Sequence, residues 1–131
     1  MSKGAAKVRR IVMIDDNEPD NIFHEMVLRA ADFEGDIRMF ESPVDGLRYV
    51  QTQPDGPIDL VFLDINMPAT DGWAVLAALR PNLPRWPGLR IYMLTSSANP
   101  EDRALAERTP GVTGFLTKPL EPGVVRRLLG A

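Results

Sequence analysis

A chain of 131 residues, 44% of them hydrophobic and 25% charged, has the size and balance of one globular domain able to bury a core of its own. A net charge of −3 offers no footprint for nucleic acid or an anionic membrane, and the absence of cysteine removes disulfides, thiolate metal sites and thiol nucleophiles. No apolar run approaches the roughly 18 residues of a membrane span, and the apolar run after the basic opening MSKGAAKVRR is shorter than the ~7–15 residues of a signal peptide. We therefore expect a cytoplasmic protein with one domain over 1–131, its first residues, about 1–8, forming a flexible tail.

Taken in chain order, the apolar pattern alternates between two periods. RRIVMID is a short β-branched run and reads as a buried strand, whereas Ile22, Phe23, Met26, Val27 and Ala30 recur at helical spacing. DIRMFES alternates as a half-buried strand, with Ile37 and Met39 on one phase, and Pro43 then opens a helix carrying Val44, Leu47 and Val50 on one face. IDLVFLD is a second buried run, followed by a helix with Trp73, Leu76, Ala77 and Leu79. PNLPRWPG, with three prolines and a glycine, reads as a loop. LRIYMLT is a further buried strand, after which Asn99 caps a helix that begins Pro100-Glu101-Asp102. VTGFLT makes the last strand, and Pro122 opens a final helix with Val124, Val125, Leu128 and Leu129, which cover either the sheet or a partner.

Five strands alternating with five helices predict an α/β fold, a doubly wound (βα)5 three-layer sandwich in which helices cover both faces of a parallel sheet. Ligands of such sheets bind outside the carboxyl ends of the strands, where strand order reverses. The first strand ends in Asp15-Asp16, the third in Asp64, the fourth in Thr95-Ser96 and the fifth in Lys118. With a strand order of 2-1-3-4-5 and ~4.8 Å between strands, these groups fall within about 15 Å along one rim. Each has a bland reading: a helix cap for Asp15-Asp16-Asn17, turn caps for Asp64 and Thr95-Ser96, a loop lysine for Lys118. Their occurrence at the same end of four strands argues for a shared site. Crowded carboxylates repel by about 4 kcal/mol per pair at 4 Å and an effective dielectric near 20, and a hard cation such as Mg²⁺ removes that cost. Beside such a cation a carboxylate can act as nucleophile toward a phosphoryl group, with a lysine and a hydroxyl to neutralise and hold it.

With IDDN, VFLDINMPATDGW, YMLTSS and GFLTKP in this order, the sequence resembles a response-regulator receiver domain of the CheY-like superfamily, the phosphoacceptor module of two-component signalling. The resemblance covers essentially the whole chain and implies the flavodoxin-like sheet order 2-1-3-4-5. It implies Asp64 as phosphoacceptor, Asp15 and Asp16 as the acidic pocket for Mg²⁺, and the Asn66 backbone carbonyl as a further metal ligand. It also implies that Thr95 binds a phosphoryl oxygen, that Phe115 is a switch aromatic following that hydroxyl, and that Lys118 bridges to the phosphoryl group ahead of a cis Lys118-Pro119 bond. Two departures stand out. RTPGVTG makes the stretch from Thr95 to Lys118 one residue longer than usual, leaving Thr95 and Ser96 both open as the phosphate-binding hydroxyl, and the switch aromatic is Phe rather than Tyr.

The resemblance implies a sensor histidine kinase as donor, and a downstream protein or phosphotransfer partner reached through the surface of the last two helices and the strand between them. DNIFHEMV, MPATDGW and LTSSANPED are similar to small stand-alone regulators paired with phytochrome-type kinases. We expect no output domain, no nucleic-acid or membrane partner, a phosphoacceptor rather than an enzyme, and a capacity for homodimerisation. His24 is expected to be a surface or packing residue. The rivals are weaker. A Mg²⁺-dependent phosphatase with an aspartyl nucleophile needs an acid where Asn66 stands, and a flavodoxin-like carrier needs a phosphate-cradling loop where the acidic pair stands.

Overall fold

The computed structural model describes residues 8–53, 58–68, 70–96 and 99–130. Strands β1 (Arg10–Ile14), β2 (Asp36–Phe40), β3 (Leu60–Asp64), β4 (Arg90–Thr95) and β5 (Gly114–Thr117) form one sheet in the order β2-β1-β3-β4-β5, all pairs parallel. Helices α1 (Glu18–Ala30), α2 (Pro43–Thr52), α3 (Gly72–Leu79), α4 (Pro100–Arg108) and α5 (Pro122–Leu129) make the crossovers. The expected doubly wound α/β fold and its strand order are therefore present. No helix among the described residues is long and apolar enough to cross a membrane.

The central strands are apolar on both phases because both faces of the sheet are covered. Val12, Ile14, Val61, Leu63, Ile91 and Met93 face a core completed by Val50 of α2 and by Val75, Leu76 and Leu79 of α3. The alternate residues Ile11, Met13, Leu60, Phe62, Tyr92 and Leu94 pack with Val27 and Leu28 of α1 and Val125 of α5. Leu128 and Leu129 lean on this second core, so together with Val125 they serve the sheet. Gly46 is dictated by close packing, since a Cβ there would lie 2.7 Å from Ile14 Cγ1.

Several expectations need correction. Helix α1 buries Asn21, His24, Val27 and Leu28, while Ile22, Phe23 and Met26 are 48%, 45% and 63% exposed. Its inward stripe is offset from the apolar one because two polar residues occupy inward positions near the carboxyl edge of the sheet. Ala30 is exposed and Ala31 buried, by the same offset. Val44 and Met39 are exposed, the first at the outer start of α2 and the second on the edge strand β2; Ala77 also faces outward. PNLPRWPG is not a plain loop: Arg80–Arg85 form a 3-10 helix that seats Trp86 in the core. Of the expected tail, residues 1–7 lie outside the described residues, and Val8 is already buried against the α1 side of the sheet.

The offset of α1 has a direct test. Leu28→Ala is expected to lower stability in urea unfolding by about 2–5 kcal/mol, and Met26→Ala to stay within ~0.5 kcal/mol of the parent.

Candidate functional site: an acidic pocket at the carboxyl edge

In-register pairing of Ile14 with Leu63 and of Asp64 with Leu94 brings the ends of β1, β3 and β4 level, so the residues that follow share one rim. Asp15 continues the ladder through its N–H, which donates to Phe40 O at 3.0 Å. Its side chain turns back to hold the start of α1: Asp15 Oδ1 accepts from the Asn17 N–H at 2.9 Å, and the Asp15 carbonyl accepts from Asn21 Nδ2 at 2.9 Å. The helix cap is Asn17, whose Oδ1 accepts from the Asp20 N–H at 2.9 Å. Capping by Asn17 leaves the exposed Asp16 carboxylate free of that role.

Carboxylate oxygens of Asp15, Asp16 and Asp64 lie within 4.8 Å of one another. Asp15 and Asp64 are buried. Opposite them stands Lys118, whose Nζ lies 2.7 Å from Asp15 Oδ2, 2.9 Å from Asp20 Oδ2 and 3.5 Å from Asp64 Oδ1. The Lys118 N–H donates to Thr95 O at 2.7 Å, tying the end of β5 to that of β4, and the Lys118-Pro119 peptide is cis as expected. Asp64 Oδ1 accepts from the Asn66 N–H at 3.3 Å, and Asn66 Nδ2 donates to Thr95 Oγ1 at 3.1 Å. Gly72 opens α3 against the same strand end: its N–H donates to Ile65 O at 2.9 Å, and a Cβ there would overlap the Asp64 carbonyl.

The electrostatics follow from this crowding. Burial, then the charge of Asp15, push the Asp64 carboxyl up to about 6; the Lys118 charge and the Asn66 N–H only partly oppose them. Burial alone would lower the Lys118 ammonium, but its hydrogen bonds to Asp15 and Asp20 and the charges of Asp15 and Asp64 hold it well above the usual lysine range. His24, one turn after Asp20, is kept below its ordinary value by burial and by the Lys118 charge, against the pull of Asp20 and Asp15.

Asp15, Asp16, Asp64, Asn66, Thr95 and Lys118 thus converge. Thr95 is fully buried, whereas Ser96 is exposed. Phe115 stands apart on β5, half-buried, with the Arg103 guanidinium 5.1 Å from its ring centroid. The sequence reading missed Asp20 and Asn21; His24, expected as a surface or packing residue, is buried. Asp20 reads in sequence as an acid suited to the first turn of a helix, and the one signal pointing further is its spacing of four residues from His24, which aligns the two along the helix.

The family model for the response regulator receiver domain matches residues 11–129. The chain belongs to that family, the receiver domain of two-component response regulators. It is 28% identical over 124 residues to response regulator Rcp1 of Synechocystis sp., covering 90% of this chain and 82% of that protein. It is 30% identical over 129 residues to the protein-glutamate methylesterase/protein-glutamine glutaminase of group 2 operon of Rhodospirillum centenum, covering 98% of this chain. The chain spans 30% of the length of that methylesterase and 17% of the CAI-1 autoinducer sensor kinase/phosphatase CqsS of Vibrio cholerae. A response regulator receiver protein from Dyadobacter fermentans has the same fold, with a TM-score of 0.84 at 23% identity over 93% of this chain and 95% of that one. The Mn(2+)-bound form of Rcp1 gives a TM-score of 0.72 at 22% identity over 92% and 88% of the two chains.

The raised Asp64 carboxyl has a signed consequence for stability. Its folded value of about 6 lies above its ordinary 3.8, so the folded state binds the proton more tightly and loses stability as pH rises from about 4 to about 6. Above that window the full cost is present. In metal-free buffer at pH 7.5, Asp64→Asn is expected to raise stability by at most about 3 kcal/mol, with the gain shrinking as pH falls toward 4. Gly72→Ala is expected to cost about 1–3 kcal/mol in the same urea assay, because its methyl must displace the Asp64 peptide.

Proposed function

We propose that the chain accepts a phosphoryl group on Asp64 from a histidine kinase, with Mg²⁺ as cofactor, and passes the signal on through its α4–β5–α5 surface. The observation that carries this reading is the Lys118 ammonium seated between buried Asp15 and Asp64 at the carboxyl edge of the sheet. The donor set fits a hard divalent cation: it is all oxygen, within 4.8 Å, and carries more negative charge than the lysine beside it neutralises. Asp15, Asp16, Asp64 and the Asn66 carbonyl would hold Mg²⁺, which supplies positive charge against the phosphoryl oxygens.

The chain's own groups do the rest. An Asp64 oxygen attacks phosphorus, forming the P–O bond as the P–N bond to the kinase imidazole breaks and the imidazole keeps the electron pair. Lys118, 3.5 Å from Asp64, neutralises charge on the transferred group. Thr95 is the better candidate for the receiving hydroxyl, since it is already held by the Asn66 amide at 3.1 Å and can exchange that bond for a phosphoryl oxygen. Phe115, on the strand paired with β4, is the candidate to follow that movement. Helix α4 buries only Ala106, and such thin packing suits a surface that shifts.

An aspartyl phosphatase remains the weaker alternative, because Asn66 carries no acid and commits its amide to Thr95. Pairing with a phytochrome-type kinase rests on DNIFHEMV, MPATDGW and LTSSANPED. Onward phosphotransfer, or a downstream protein partner, self-association and a cytoplasmic setting complete the proposal.

Incubation with radiolabelled acetyl phosphate and Mg²⁺ is expected to label the protein with an acid-stable, base-labile bond. Asp64→Asn and EDTA are each expected to abolish the label. Label surviving in Asp64→Asn would remove Asp64 from its role.

A further inference from the structure

The Lys118 ammonium, with three N–H donors, stands among three carboxylates and donates a hydrogen bond to Asp20. The shortest contact is to Asp15 at 2.7 Å, the next to Asp20 at 2.9 Å, and the longest to Asp64 at 3.5 Å. Asp20 belongs to neither the strand ends nor the carboxylate trio. It stands in the first turn of α1, where Asn17 takes its backbone N–H and its carboxylate reaches 98 residues along the chain to Lys118. Among the described residues the neighbouring turn adds no competing ion pair: His24 is buried, its Nδ1 has no hydrogen-bond partner there, and burial favours its neutral form.

We propose that Asp20 is a positioning residue, a resting counterion that draws Lys118 toward α1 and thereby limits how much of its charge reaches the phosphoryl group at Asp64. This rests on the phosphoacceptor reading of Asp64. With Asp15 committed to a divalent cation, Asp20 would be the carboxylate that still competes with the phosphoryl oxygens for Lys118. Asp20 also adds a negative charge that an anionic donor meets on entry. At 39% side-chain exposure its field is partly screened, so its influence is graded by salt.

The test compares wild type, Asp20→Asn and Asp20→Glu for the rate constant of phosphorylation by acetyl phosphate with Mg²⁺ at fixed pH. In that reaction the P–O bond to Asp64 forms as the P–O bond to acetate breaks, and acetate leaves with the electron pair. Asp20→Asn is expected to react about threefold to tenfold faster, and Asp20→Glu to remain near wild type. The gain should shrink when about 0.5 M NaCl screens the pocket, a dependence that a purely structural role for Asp20 would not produce. It should also be smaller with phosphoramidate, which carries less negative charge than acetyl phosphate. Circular dichroism checks the fold, and Asp20→Ser repeats the measurement if Asp20→Asn folds poorly. Equal or slower reaction of the neutral variants, in a wild type that does label on Asp64, overturns the role of Asp20 alone. A wild type that takes no label overturns the phosphoacceptor reading and this inference with it.

Discussion

Parallel strands that end level bring their last side chains to one rim, and here that rim gathers carboxylates that repel one another. Asp15 and Asp64 are buried, Asp16 and Asp20 stand at the edge, and the Lys118 ammonium is placed among them. Taking two carboxylates out of water is costly unless charge and hydrogen bonds compensate. Much of the local structure supplies that compensation: the Asn17 and Asn66 N–H groups aimed at Asp15 and Asp64, and the Lys118 N–H bonded to Thr95 O so that the ammonium is delivered to the rim. The compensation is incomplete at Asp64, whose carboxyl stays raised to about 6. Carboxyls shifted in this way are concentrated at functional sites.

The same constraint reaches into the first helix. An amphipathic helix ordinarily turns its apolar stripe inward, yet α1 turns in Asn21 and His24 and leaves Ile22, Phe23 and Met26 outside. Asn21 accounts for its position through its hydrogen bond to the Asp15 carbonyl. Local preference and tertiary arrangement disagree where the pocket needs polar groups beneath it, which is where such disagreements are expected to concentrate. The outward apolar residues leave α1 with a surface that the fold itself does not use.

Much of this was legible in the residues. The apolar runs at Ile11–Ile14, Leu60–Leu63 and Ile91–Leu94 read as strands buried on two faces, and Asn99-Pro100 and Pro122 marked helix starts that the structure confirms. The acids, hydroxyls and lysine at the strand ends could be listed from spacing alone, because strand order converts sequence position into place on the rim. The seating of Trp86 by a proline-rich 3-10 helix was not legible, since prolines that break an α-helix are compatible with the tighter turn. The exposure of Val44 and Met39 was hidden for another reason: an edge strand and a helix start carry the same apolar residues whether or not something packs over them.

The sequence by itself determined the alternation of strand and helix, the apolar character of the central strands, and the identity of the groups at the carboxyl edge, because each depends on local period or on neighbouring residues. Tertiary structure alone decided which helix face points inward and which carboxylates share Lys118. Asp20 and Lys118 are 98 residues apart, and no local pattern links them. Their pairing exists because β1 and β5 enter the same sheet from opposite ends of the chain and leave α1 and Lys118 facing one another across its edge.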